Sequence, residues 1–189
     1  RMVVKRLPGC KPIYLVYDWQ DRLILGQNGK QRTENINKWT YFVYDNQNRE
    51  VESGEITTSV ALTHKQLQQQ AWKQEKYLPT GTKNPLQYTV YDNYKATLNV
   101  TAHPFIAISG YSGDYHHNTT GLITTKKAKV LETNDWVTTT IYYDDQCKII
   151  QTISSHPQKP LSYVNATYDF IGNKIKQRET AGNNILEMV

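Results

Sequence analysis

Cysteine is scarce in this chain, with only Cys10 and Cys147 among 189 residues. Two cysteines cannot make a disulfide framework, and no Cys-x-x-Cys spacing is present to hold a metal. They belong to different repeats of the pattern described below, which argues against a bridge between them. Cys147 has Asp144 and Asp145 beside it, neighbours that disfavour a thiolate. Phenylalanine is also rare, three residues against fourteen tyrosines. No apolar run approaches the roughly 20 residues of a membrane-spanning helix, and no signal peptide is visible. A phosphate-binding glycine loop is missing. His64, His103, His116, His117 and His156 lie in unlike contexts, so no Ser or Cys nucleophile has an evident base and orienting acid. The carboxylates mostly occupy turns, and no pair stands out for glycosidic hydrolysis. The expectation is a chain with no catalytic residue, no cofactor and no metal.

What the chain has is a repeated turn, and repeats organise a fold before anything else does. It appears at Tyr17-Asp18-Trp19-Gln20-Asp21-Arg22, at Tyr44-Asp45-Asn46-Gln47-Asn48-Arg49, at Tyr143-Asp144-Asp145-Gln146-Cys147-Lys148 and at Tyr168-Asp169-Phe170-Ile171-Gly172-Asn173. Each copy follows a β-rich run such as Ile13-Tyr14-Leu15-Val16 or Trp39-Thr40-Tyr41-Phe42-Val43, residue types that suit a pleated, half-buried surface. An Asp at the start of a turn accepts hydrogen bonds from the backbone just ahead of it. Two residues in right-handed helical space and a fifth in left-handed space then make a type I turn with a bulge. Asp21, Asn48 and Gly172 suit that fifth position; Cys147 does not, and predicts strain or a different turn there. The geometry sets Asp18 against Arg22, Asp45 against Arg49 and Asp144 against Lys148. Asp169 faces Asn173 and lacks the cation.

These four motifs resemble the YD repeats of the bacterial Rhs family, relatives of the repeats in insecticidal Tc toxins and animal teneurins. The form around Tyr17, Tyr44, Tyr143 and Tyr168 is similar to that in large Rhs-type proteins of gut bacteria. The resemblance covers about the first and last thirds of the chain. It implies hairpins that spiral into a hollow β-shell, which in the family typically encloses a C-terminal toxic or effector domain. It also implies a secreted or cell-surface parent and, as partners, the neighbouring repeats of the same polypeptide.

The remaining sequence is consistent with one mainly β unit of antiparallel hairpins forming a curved sheet, with one helix in a central insertion. Residues 1–56 and 131–189 carry the motifs; residues 57–130 depart from them. Arg1 stands where Arg22 and Arg49 stand, 21 residues before the former, so the chain reads as a piece of a longer polypeptide. Leu7-Pro8-Gly9 is a turn signal. Asn28-Gly29 predicts a second tight hairpin turn, followed by a loop over 33–38. Thr63-His64-Lys65-Gln66 is a capping box with Leu62 and Leu67 placed as its hydrophobic staple. It opens a helix over about 63–77, with Leu67 and Ala71 on its narrow apolar face. Residues 86–100 and 105–109 read as strands, 154–160 as a loop, and 181–184 as a turn before a last strand.

A net charge of +5 raises the question of an anionic partner. The densest basic runs are Lys126-Lys127-x-Lys129 and Lys174-x-Lys176-x-Arg178, and the alternation of the second puts its three cations on one face of a strand. No nucleic-acid-binding fold accompanies them, so a solvated sheet face is expected and nucleic acid is not. Residues 110–121 form the least regular segment. Tyr111, Asp114, Tyr115 and His116 there make a possible ligand loop; adjacent histidines point apart, which argues against a metal site. If its aromatics line a cleft, a module binding a glycan or a surface protein is favoured. If they cover the sheet, a non-catalytic scaffold is favoured. Asn99, Asn118 and Asn165 each begin an Asn-x-Thr pattern.

Overall fold

The computed structural model describes residues 2–97, 99–131 and 133–188. The fold is mainly β, and within it strands pair with their sequence neighbours. Every pairing described is antiparallel. The chain forms two compact units that divide between Gln87 and Tyr88. The first holds β1 (Val4–Lys5), β2 (Ile13–Tyr17), β3 (Leu23–Gln27), α1 (Gly29–Glu34), β4 (Lys38–Tyr44), β5 (Glu50–Thr58), α2 (His64–Lys73) and the start of β6 (Gly81–Asp92). The second holds the end of β6, then β7 (Thr119–Lys129), β8 (Trp136–Tyr143), β9 (Ile149–His156), β10 (Lys159–Tyr168), β11 (Lys174–Ala181) and β12 (Asn184–Met188).

In the first unit, alternation along the strands puts one row of side chains into the core. Val16 pairs with Leu25, Leu25 with Tyr41, and Tyr41 with Gly54. Val16, Leu25, Tyr41 and the neighbouring Trp39 and Ile56 are buried. Helix α2 closes over this row with Leu67 and Ala71, the two residues of its predicted apolar face. Its capping box forms as drawn: Thr63 accepts from the Gln66 N–H and the Gln66 side chain accepts from the Thr63 N–H. Leu62 packs on the same core as Leu67, as the staple requires. The helix stops at Lys73 rather than Tyr77, because Tyr77 turns back into the core. A polar tie fixes α2 to the sheet. The Tyr17 N–H donates to Gln68 Oε1 at 3.0 Å and Gln68 Nε2 donates to the Tyr17 carbonyl at 2.7 Å. One side-chain amide thus mimics a β-bridge.

Pro8 and Gly9 form a turn closed by the Cys10 N–H on the Leu7 carbonyl, with Gly9 at φ +72°, the arrangement of a type II turn. Asn28-Gly29 is not a hairpin turn. Asn28 is the N-cap of α1 and Gln31 completes a second capping box. Asn is as good a cap as a turn residue, and Gln31, three residues on, decides between the two. The helix takes residues as far as Glu34 from the predicted 33–38 loop.

The second unit repeats the plan with a different cover. Between Asp92 and Thr119 the chain leaves the sheet and lies over β8 and β9. Tyr94, Phe105, Ile106 and Tyr115 pack on Tyr142, Ile150 and Ile153. Gln151 supplies the tie here: the Ile106 N–H donates to its Oε1 at 3.0 Å, and its Nε2 donates to the Ile106 carbonyl at 2.7 Å. Residues 105–109 are therefore not a strand; Ile106 has a side chain as its ladder partner, and Ser109 is already in a turn. The predicted strand over 86–100 begins earlier, at Gly81, and ends at Asp92. The predicted 154–160 loop is instead the end of β9, a tight turn and the start of β10. Gly182, at φ +60°, turns β11 into β12.

Candidate functional site: coupled hairpin ends

The four Tyr-Asp turns have one geometry. The Asp carbonyl accepts from the N–H three residues on, and the Asp N–H donates to the carbonyl four residues on, at 2.9–3.2 Å throughout. Asp Oδ1 accepts from the N–H groups two and four residues ahead. The fifth residue is left-handed in every copy: Asp21 at 63°, Asn48 at 63°, Cys147 at 61° and Gly172 at 96°. Cys147 therefore makes the same turn as the others; of the two outcomes expected there, strain or a different turn, it is the strain of a left-handed non-glycine residue that occurs. Three N–H groups and one carboxylate impose the conformation on it.

The second carboxylate oxygen takes the cation. Arg22 Nε and Nη2 both converge on Asp18 Oδ2, at 2.7 and 2.6 Å. Arg49 does the same to Asp45 Oδ2 at 2.8 and 2.7 Å. Asp18 is fully buried, which an aspartate tolerates only when its charge is paired and its lone pairs are used. At Asp45, burial works to raise the pKa. The Arg49 backbone and guanidinium and the Gln47 N–H outweigh it and hold the carboxyl below its ordinary value. Asn173 donates to Asp169 Oδ2 at 3.0 Å in place of a cation. Lys148 departs from expectation: its Nζ donates to Gln146 Oε1 rather than to Asp144, so only backbone N–H groups are described on that carboxylate. Arg1 lies outside the described residues.

The tyrosines link successive hairpins. Tyr44 Oη donates to the carbonyl of Leu23, the first residue after the preceding turn, at 2.8 Å. Tyr168 Oη donates to Ile149, the equivalent residue of its predecessor, at 2.9 Å. Tyr143 Oη donates to Ile123 on β7 at 2.7 Å. The preceding cation completes the link. Arg22 lies 5.2 Å from the Tyr44 ring centroid and donates to Asn48 Oδ1 at 2.8 Å. Lys148 lies 5.7 Å from the Tyr168 centroid and runs against Gly172, where an added Cβ would meet its Cε and Nζ at 3.1 Å. Two hairpin pairs, one in each unit, thus share a cation, the next tyrosine ring and the next left-handed residue. Sequence reasoning missed this link. Its signal was the choice of Tyr over Phe at a hairpin end, since only the hydroxyl reaches the earlier carbonyl.

A fifth Tyr-Asp pair, Tyr91-Asp92, lacks the turn-and-cation pattern that follows the other four. Even so, Asp92 Oδ1 accepts from the Gly121 N–H at 2.7 Å, as Asp18 does from Arg22. Residues 93–120 stand where the other hairpins have three.

Among the described residues, the aromatics of the possible ligand loop pack on the sheet. Tyr115 packs on Tyr142, Tyr94 and Phe105, with centroids 4.6–5.3 Å apart. The His116 N–H donates to the Tyr143 carbonyl at 2.8 Å. Tyr111 Oη donates to Glu187 at 3.0 Å and its ring carries Lys176 at 4.8 Å. Asp114 is exposed, with His117 Nε2 3.7 Å from its Oδ2. The loop's aromatics therefore cover the sheet. The basic stripe is likewise engaged: Lys176 pairs with Glu187 at 2.7 Å and Arg178 lies opposite Glu187 in the ladder. Asn165 of the third Asn-x-Thr pattern is buried. Cys10 and Cys147 are free thiols, and no described helix is long and apolar enough to cross a membrane. No protein-family model and no curated protein matches this chain.

The turn geometry predicts opposite effects at two equivalent positions. A left-handed non-glycine residue costs about 1–2 kcal/mol. Cys147→Gly is therefore expected to raise stability by about 1 kcal/mol, and Asp21→Gly to be near neutral. Gly172→Val should cost about 2 kcal/mol or more, whereas Gly172→Asn is tolerated and offers Lys148 an acceptor. Urea unfolding of the four variants checks this; Gly172→Val as stable as Gly172→Asn would overturn the assignment.

Alkaline pH should open the second unit. Burial, reinforced by Tyr115, pushes the Tyr142 pKa up to about 12, and burial with the neighbouring tyrosines raises Tyr94 as well. A group held above its unfolded value contributes its full stability below that value, about 10 for tyrosine. It loses that contribution as pH rises to the folded value. Stability should fall between about pH 10 and 12, with tyrosinate absorbance rising together with loss of structure. Tyrosinate appearing well below that window, with structure intact, would show the cluster to be solvated.

Proposed function

We propose that this chain is a non-catalytic scaffold segment of a large YD-repeat protein of the Rhs type, secreted or held at the cell surface. In that reading its hairpins form part of a curved shell that encloses a C-terminal effector, and its partners are the neighbouring repeats of the same polypeptide. The observation that carries the reading is the link between hairpins. A tyrosine hydroxyl, a cation and a left-handed residue join one Tyr-Asp turn to the next by the same geometry at Tyr44 and at Tyr168. Such nearest-neighbour terms stabilise repeat architectures, in which each unit contacts mainly the next. Two further features support it. The 110–118 loop covers the sheet, and β12 leaves Ile185, Leu186 and Met188 exposed, an apolar edge that a further hairpin would cover.

The test is the intact mass and peptide map of the native product. A very large polypeptide carrying many more Tyr-Asp motifs supports the scaffold. A product little longer than this chain could not enclose an effector and overturns it. The second reading, a glycan- or protein-binding module using the central insertion, is favoured by one observation: residues 61–65 of that insertion line a cavity in the first unit.

A further inference from the structure

That cavity, about 520 Å³, is bounded by α1, the turn after it, the end of β3 and the residues entering α2. Its size falls in the range of small-molecule sites. One wall is a stack of three planar groups. Arg32 lies 4.4 Å from the Tyr14 ring centroid, and the His64 ring stacks on Tyr14 at 5.1 Å with 16° between planes. The other wall is Trp39. It is 2% exposed, and its Nε1–H is buried with no acceptor among the described residues.

The charge of the lining points to an anion. Arg32 and Lys65 line the cavity and no carboxylate does. Thr63, His64 and Lys65 are the N-cap and first residues of α2, and the first-turn N–H groups of a helix favour negative charge. The rest of the lining suits hydroxyls, which both donate and accept. His64 Nε2 is committed to the Leu15 carbonyl at 2.9 Å, so Nδ1 is left to accept. Gln27 commits its N–H groups to the Ile36 and Lys38 carbonyls, so Oε1 is left to accept. Asn37 contributes an amide to the rim. Apolar aromatic walls, mixed donors and acceptors, and unopposed positive charge together describe a ring carrying hydroxyls and a carboxylate.

We propose that this cavity binds an acidic sugar, a uronic-acid unit of a glycan, with its carboxylate toward Lys65 and the α2 N-terminus. The proposal is independent of the scaffold reading, and goes beyond it.

Calorimetric titration tests it with three probes: a disaccharide ending in glucuronic acid, the neutral glucose disaccharide, and acetate. The acidic disaccharide is expected to saturate one site at least about tenfold more tightly than either of the others, about 1.4 kcal/mol. Lys65→Gln, at an exposed position, should weaken it several-fold without changing the melting temperature. Asn37→Ala, on the rim, should weaken it as well. Equal binding of the neutral disaccharide overturns the carboxylate assignment, and equal binding of acetate overturns the sugar. Absence of saturable binding by the acidic disaccharide, or binding unchanged in Lys65→Gln and Asn37→Ala, overturns the site.

Discussion

Gly54→Ala is expected to destabilise the first unit by about 3 kcal/mol or more, at the upper end of what overpacking costs. A single methyl group is enough because of what it meets. A Cβ on Gly54 would lie 2.4 Å from the Asn84 carbonyl oxygen, 2.8 Å from Pro85 Cα and 2.9 Å from the Leu86 nitrogen. All three are backbone atoms of β6, so no rotamer change relieves the clash; β5 and β6 must part. Gly54 also ends the buried row that begins at Val16, so the displacement reaches Tyr41 and the seat of α2. Trp19, Trp39 and Trp72 all lie before the Gln87 boundary, and tryptophan fluorescence during urea unfolding reports mostly this unit. Gly113→Ala is the control, since a Cβ there meets nothing within 4 Å and its effect should be near zero. Equal midpoints for the two variants would show that β6 does not run where it is drawn.

Tyr142→Ala is expected to cost about 3–5 kcal/mol, the usual loss for a large core aromatic. Its ring stacks on Tyr94 at 4.6 Å and 19°, meets Phe105 edge-on at 5.2 Å and 73°, and meets Tyr115 at 4.6 Å and 59°. Those three partners all come from the segment between β6 and β7. Without the ring the segment loses its main apolar anchor, and limited proteolysis should cut within residues 93–118 before the sheet unfolds. Tyr142→Phe keeps the stacking and loses only the hydroxyl bond to the His103 carbonyl, a loss of about 1 kcal/mol. Should both variants resist protease like the parent chain, the segment would be held by something other than this cluster.

What the sequence disclosed was local. A Tyr-Asp turn is decided within six residues by one carboxylate, a few N–H groups and a left-handed position, so the hairpins and their bulges were readable in advance. The capping box at Thr63 was readable for the same reason. The misreadings are places where a distant partner decided. Residues 105–109 look like a strand because they are mostly apolar, but the backbone hydrogen bonds of Ile106 go to Gln151, some 45 residues away. Asn28-Gly29 reads as a hairpin turn from two residues alone, but Gln31, three residues on, makes Asn28 a helix cap. The Lys148 side chain was assigned to Asp144, its turn neighbour, whereas it lies against the next hairpin. The cavity beside α2 was not legible at all, since it collects Tyr14, Trp39 and His64 from three separate elements.

The two glutamines that tie the covering segments to their sheets differ from the turn aspartates and the core tyrosines in one chemical respect: they have no proton to gain or lose. Asp45 is protonated in acid and Tyr142 ionises in alkali, but the Gln68–Tyr17 and Gln151–Ile106 amide pairs exchange the same two hydrogen bonds at either extreme. Acid and base should therefore strip these units in an order. Ion pairs at the turns let go first on one side and the aromatic cluster first on the other, and the amide ties outlast both. A primary amide in the right place is, in effect, a strand one residue long whose own hydrogen bonds contain no titrating group.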